Sequence, residues 1–208
     1  MKDIIDAIES SQHCQRNWDL SKQIDPKHMN IFESVVKTVP SKQNIAYYKV
    51  HFISDRSVIE EIYKWTMTET PNDLDEDFYN PQVLANLLVI YEDYWDISKD
   101  DRGSRIKERN ISNIEYNGYT IHVDRQQAIG ISAGILAFTA NYLGYKTGFC
   151  RCFKQKEVSE ILKVENSLQL MIGIGFPKQN ISHTIHHITN SDSLKPMIKS
   201  EIPIIKLP

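Results

Sequence analysis

The run from Ala128 to Leu143 is the stretch that most restricts how this chain can fold. It is apolar along its length and interrupted by Ser132, Thr139 and Asn141. It falls short of the roughly 20 residues that a membrane span needs. It reads instead as a buried helix over residues 125–143, ended by Gly144. Inside it, "AIGISAG" puts Gly130 and Gly134 on one helix face. Two glycines cost about 2 kcal/mol of helix propensity. Close approach of another helix would compensate, whether from the same chain or from a second subunit.

The remaining elements follow from local pattern. Residues 3–9 read as a short helix with Ile4, Ile5 and Ile8 on one side. In "IDPKHMNIFESVVKTV", Asp25 is the N-cap and Pro26 sits in the first turn, with Met29, Phe32, Val36 and Val39 at helical spacing. "YKVHFI" alternates as a strand. Residues 56–67 form an amphipathic helix through Ile59, Ile62, Tyr63 and Met67, and 69–82 are an acidic, turn-rich connector. "LANLLVIYE" is a continuous apolar run, as in a strand buried on both faces. The polar stretch 96–124 reads as a surface excursion or lid. "KTGFCRCF" is a short strand or loop, "KEVSEILKV" a helix, and "SLQLMIGIGFP" a buried strand stopped by Pro177. The tail, 178–208, reads as mostly extended. Helices and strands do not alternate as clean βαβ units, which argues for an α+β domain spanning 1–208.

Composition excludes some roles. A net charge of −3 and no basic run do not suggest a nucleic-acid binder. The start, "MKDIIDAIES", carries acids where a signal peptide needs an apolar run, so a cytoplasmic protein with reduced thiols is expected. Cys14, Cys150 and Cys152 are too few for a disulfide framework. "CRC" lacks a second cysteine pair, and "HTIHH" is the one histidine cluster, so buried thiols are expected rather than a metal site. No GxGxxG, GxxxxGK[ST] or GxSxG motif occurs. What remains is polar loops at the ends of buried elements: 10–19 with the permanent cation Arg16, 40–44 with Ser41, Lys42 and Asn44, and 148–153 with Gly148. Such a set suits a flat polar ligand with an anionic tail. By itself, the second loop would be a polar connection capped by Ser41 and Asn44.

Four motifs in order give the loops a further meaning. "QHCQRNWD" is similar to an opening Arg-Arg-Ser-x-Arg-x-Phe-Asp, with Gln12 and His13 at the first two arginines, Cys14 at the serine, Arg16 at the last arginine and Trp18-Asp19 at Phe-Asp. Pro40, Ser41 and Asn44 match Pro-Ser-x-x-Asn before a strand. "ANYLGYKTGFCRCF" matches a small-residue helix ending in Leu-Gly and then a strand, and Gly175-Phe176-Pro177 matches a closing Gly-Tyr-Pro. Over roughly residues 3–177 the chain resembles the nitroreductase family, the FMN-dependent NAD(P)H oxidoreductases.

The resemblance implies an α+β nitroreductase-like fold with a central mixed or antiparallel sheet flanked by helices, in an intertwined homodimer with FMN at the subunit interface. Arg16 would reach the flavin pyrimidine edge or ribityl chain and stabilise negative charge near N1 and O2. His13 and Cys14 would lie beside the ribityl-phosphate. Pro40, Ser41 and Asn44 would line the isoalloxazine from the partner subunit. Backbone N–H groups of Cys150, Arg151 and Cys152 would face N5, and Asn80 would meet the carbonyl edge. Gln12 departs from the pattern, since the family often has a phosphate-binding arginine there, and His186 and His187 are the nearest C-terminal cations. The implied activity is ping-pong reduction of a nitroaromatic, quinone or similar small acceptor by NAD(P)H, with the flavin carrying the chemistry. A flavin-binding protein without turnover, or a specialised reaction such as dehalogenation, flavin fragmentation or peptide oxidation, is the alternative.

Overall fold

The computed structural model describes residues 3–68, 78–94, 114–190 and 199–206. Helix α1 (Ile4–Ser11) starts at Asp3, whose carboxylate accepts from the Ile5 N–H. Helix α2 (Pro26–Thr38) starts as expected, with the Asp25 carboxylate accepting from Lys27 N–H and Pro26 in the first turn. Then come β1 (Tyr48–Ile53), α3 (Arg56–Tyr63), the short strands β2 (Met67–Thr68) and β3 (Phe78–Tyr79), a 3-10 turn at Pro81–Val83 and β4 (Leu87–Asp93). The long helix α4 (Ile114–Tyr142), β5 (Lys146–Cys150), α5 (Gln155–Leu162) and β6 (Leu168–Gly175) complete the order.

The main sheet runs β1-β4-β6-β5, and each pairing in it is antiparallel. The two central strands are covered on both faces, which is why they read as unbroken apolar runs. On one face Leu87, Val89, Tyr91, Ile172 and Ile174 pack against Phe32 and Val36 of α2 and against Ala133, Leu136 and Ala140 of α4. On the other, Leu88, Ile90 and Met171 pack against Trp18, Ile59, Ile62, Val83 and Val158. The sheet is thus the middle layer of three. Among the described residues no helix is long and apolar enough to cross a membrane.

Three expectations change. The helix at 56–67 ends at Tyr63, because Trp65 and Thr66 turn back to the Ile62 and Tyr63 carbonyls and Met67 enters β2. The central helix begins at Ile114, not 125, so 114–124 belongs to it rather than to an excursion. Its polar part is anchored by tertiary ion pairs that no local pattern encodes: Asp124 with Lys42 at 2.8 Å and Arg125 with Asp93 at 3.0 Å. The rest of the supposed lid, 96–113, lies outside the described residues. The segment 178–190 is folded into turns, with Asn180 and Asn190 at positive φ, rather than extended. Gly144 does end α4, at φ +96°.

Glu92, at the end of β4, is 1% exposed. Its carboxylate accepts from His51 at 2.6 Å and from Asn166 at 2.6 Å, with the Lys49 ammonium at 4.0 Å. Burial pushes its pKa up, but the bonds from Asn166 and His51 and the charge of Lys49 outweigh this and hold it below the ordinary 4.5. A depressed carboxyl contributes stability that is complete above its unfolded value and lost as pH falls through the folded one. Glu92→Gln is therefore expected to cost about 1.5 kcal/mol near neutral pH. The gap from wild type should close under strongly acidic conditions, as read from urea midpoints.

Candidate functional site

Segment 12–18 leaves α1 and is laid across the end of β5. Gln15 N–H donates to the Thr147 carbonyl and Arg16 N–H to the His183 carbonyl, both at 2.9 Å. Gln15 also holds the Asn17 carbonyl and side chain through Nε2. Asn17 is fully buried: its amide donates to the Ser182 carbonyl and accepts from Lys178 N–H at 3.0 Å. Trp18 Nε1 donates to the Pro81 carbonyl at 2.9 Å. This segment therefore joins β5, the Pro81–Val83 turn and the turns at 178–187.

Gly148 and Gly173 are paired neighbours on β5 and β6. A Cβ on Gly148 would stand 2.6 Å from both the Gln15 carbonyl oxygen and Gln82 Cβ, and one on Gly173 would stand 1.9 Å from the Gln82 carbonyl oxygen. The two glycines thus form the floor on which the site loop and the Pro81–Val83 turn rest.

Four cationic or titratable side chains meet above this floor. The His13 and His183 rings are 5.2 Å apart. Lys146 Nζ donates to Ser10 Oγ, which donates to Asn141 Oδ1 at 2.7 Å. Burial lowers the pKa of His183, and the charges of His13, Arg16 and Lys146 lower it further. The charges acting on His183 are all positive, so this corner favours an anion.

Sequence reasoning named His13 and Arg16 but missed Lys146 and His183. It turned instead to His186 and His187 in the same "HTIHH" cluster. His186 is buried, with Nε2 2.7 Å from Tyr63 OH and Nδ1 facing the N–H groups of Ile188 and Thr189. His187 Nδ1 faces the Arg16 carbonyl at 3.2 Å. His187 thus braces the site loop, and His186 ties its own turn to Tyr63. No periodicity marks His183; it is distinguished by the turns that carry it back to residue 13.

Cys14 and the 150–152 segment share this region. Cys14 Sγ lies 3.8 Å from the Phe149 carbonyl, and Cys150 Sγ lies 3.5 Å from the Cys152 carbonyl. All three cysteines are free thiols. Burial raises the Cys14 pKa and pushes Cys150 up to about 12. Arg151 and Cys152 are exposed past the end of β5. Iodoacetamide at about pH 8 should alkylate Cys152 first and leave Cys150 unmodified, since the thiolate is the reacting form; peptide mass spectrometry reads the order. Asn80 Nδ2 donates to the Thr66 and Cys152 carbonyls, and Oδ1 accepts from Gln82, so its amide braces the 150–152 segment from below. Gln12 is an exposed C-cap of α1.

The loop 40–44 lies elsewhere. Lys42–Asn44 form a 3-10 turn closed by Asn44 at φ 59°, but Ser41 makes no side-chain capping bond, contrary to expectation. Pro40 is exposed, and Lys42 is tied to Asp124 at 2.8 and 3.0 Å. Ser10, beside the cationic corner, is tied instead to Asn141, seventeen residues further along α4. At a 1.5 Å rise per residue, the two anchor points are about 25 Å apart. Within one chain the two predicted walls of the site do not meet.

Known structures share this fold. A nitroreductase family protein from Clostridium novyi has a TM-score of 0.62 at 14% identity, with 88% of this chain and 90% of that one covered. A protein from Exiguobacterium sibiricum, solved in complex with FMN, has a TM-score of 0.65 at 12% identity, covering 97% and 94%. An FMN-dependent nitroreductase from Clostridium difficile has a TM-score of 0.58 at 14% identity, covering 85% and 89%. The chain has the nitroreductase-like α+β fold. No family model and no curated protein matches its sequence.

Proposed function

We propose that the chain is an FMN-dependent oxidoreductase, acting as a homodimer, that takes hydride from NAD(P)H and passes electrons to a small nitroaromatic, quinone or similar acceptor. The observation that carries this reading is the corner of His13, Arg16, Lys146 and His183, where positive charge converges on one place at the start of β5. An isolated corner of like charges is unfavourable, and an anionic ligand group relieves it. His183 and Lys146 offer the charge that Gln12 lacks, which favours cofactor binding despite that departure. Bound FMN would supply the hydride acceptor.

The chain's own residues would hold and orient the cofactor. The phosphate would lie against His13, His183 and Lys146, with Cys14 beside it as a thiol kept neutral by burial. Arg16 would offer permanent positive charge to the ribityl chain or pyrimidine edge. The 150–152 segment, braced by Asn80, would cover one ring face. Pro40, Ser41 and Asn44 would come from the second copy, since in one chain they are anchored about 25 Å away along the helix.

The helix glycines support the dimer. Among the described residues, a Cβ on Gly130 or Gly134 would meet nothing within 4 Å, so packing among these residues is not what the two glycines serve. Beside them Ile131 and Ile135 are exposed, as are Ile4, Ile5 and Ile8 of α1 and Ile202, Ile204 and Ile205 of the tail. Apolar surface on this scale marks an interface. Purified protein is expected to give a dimer mass by light scattering and one FMN per chain, with the flavin absorbance bleached by NADH or NADPH. A monomer that takes up no flavin at micromolar FMN overturns the proposal. A flavin that binds but resists both nicotinamides reduces it to a binding protein.

A further inference from the structure

Cation clusters that hold a phosphate at all pH values use Arg or Lys, whose charge is constant near neutrality. Two of the four members here are histidines, whose charge is not. They come from opposite ends of the chain, His13 from the segment after α1 and His183 from the turns after β6, and their rings stand 5.2 Å apart.

We propose that His13 and His183 form a proton-dependent grip on a phosphate monoester, so that pH sets how strongly the site prefers FMN to unphosphorylated riboflavin. The inference rests on the flavin reading above for the identity of the ligand, but not for the grip itself.

Three charged groups act on His183: His13, Arg16 and Lys146. Arg16 belongs to the same loop as His13, Lys146 stands at the start of β5, and His183 comes from the tail turns; all bear on His183 as positive charge. Cys14 adds no charge, because burial keeps its thiol protonated. Without an anion, a second imidazolium in this corner is opposed by three positive neighbours; burial first, and then these charges, depress the pKa of His183. A phosphate among them reverses the balance. By linkage, whatever the anion contributes to the imidazolium, the imidazolium contributes to anion affinity. The grip is therefore complete on the acid side of the histidine titration. Above it, Arg16 and Lys146 act without the imidazolium charges.

The ligand's own second ionisation, near pH 6, works in the opposite direction by adding negative charge as pH rises. The ratio of wild-type to variant affinity cancels that effect. FMN and riboflavin are titrated by fluorescence into wild type and His183→Asn, from about pH 5.5 to about pH 8.5. His183→Asn should weaken FMN about tenfold at the acid end and less than about twofold at the alkaline end, with riboflavin unchanged throughout. A ratio that stays flat across the range overturns the proposal. NMR titration of the histidine rings in wild type with inorganic phosphate alone provides a second readout, independent of any flavin. The His183 titration should move to higher pH when phosphate is added. If neither flavin binds at any pH, the flavin reading fails and the phosphate titration decides the grip: an upward move sustains it, and no move overturns it.

Discussion

Replacing Gly173 with Ala is expected to lower the thermal midpoint by about 6–12 °C, from a cost of about 3 kcal/mol in a chain of this size. The added carbon would meet the Gln82 carbonyl oxygen at 1.9 Å and Ala85 Cβ at 2.9 Å. Neither side can yield cheaply. Gly173 is held in the middle of the sheet, opposite Leu88 on β4 and Gly148 on β5. The Pro81–Val83 turn opposite it is buried and holds Trp18 through the Pro81 carbonyl. Lifting that turn would also release Asn80 from Cys152, and Trp18 with its site loop from the Pro81 carbonyl, so cofactor uptake should fall along with stability. Calorimetry reads the first effect and FMN titration the second. A midpoint within about 2 °C of wild type would show that the turn does not rest on the sheet in solution.

Arg16→Ala should weaken FMN binding by roughly 10- to 150-fold while leaving the helices folded. A hydrogen bond to a charged group is worth about 1.5–3 kcal/mol, and each 1.4 kcal/mol is a factor of ten. The backbone of residue 16 is what ties the loop to the tail, through its N–H to His183 and its carbonyl to His187. Those bonds survive the substitution, so the loss should be confined to the guanidinium. The variant also removes one of the positive charges that depress His183, so its histidine titration should move up. Equal dissociation constants for wild type and variant would place Arg16 outside the site.

Most elements were readable from local pattern. The Asp25-Pro26 start of α2, the alternation of "YKVHFI" and the unbroken apolar runs of β4 and β6 each reflect a periodicity that burial imposes. The errors fell where local signal is weak. The stretch before residue 125 reads as polar in sequence, and the ion pairs of Asp124 with Lys42 and of Arg125 with Asp93 join residues far apart in sequence. The turns at 178–190 looked extended because polar residues there bond to Arg16 and Asn17 rather than to one another in a helix. The order of residues in 10–19 pointed to a ligand loop, but it held no record of which cations the chain would bring beside it.

The sequence alone determined an α+β chain with a buried central helix, a two-faced sheet, free thiols and polar loops at the ends of buried elements. Those properties follow from spacing and residue type, which act over a few residues. Only the tertiary structure decided that His183 and Lys146, rather than His186 and His187, join His13 and Arg16. It also decided that Gly148 and Gly173 are floors for other backbone, and that the 40–44 loop and the corner are tied to points about 25 Å apart on α4. Those facts depend on the pairing of β5 with β6 and on the turns that bring residue 183 back to residue 16. Residues so far apart in sequence meet because the sheet and its covering layers close around a shared core, and no local pattern records which side chains that closure brings face to face.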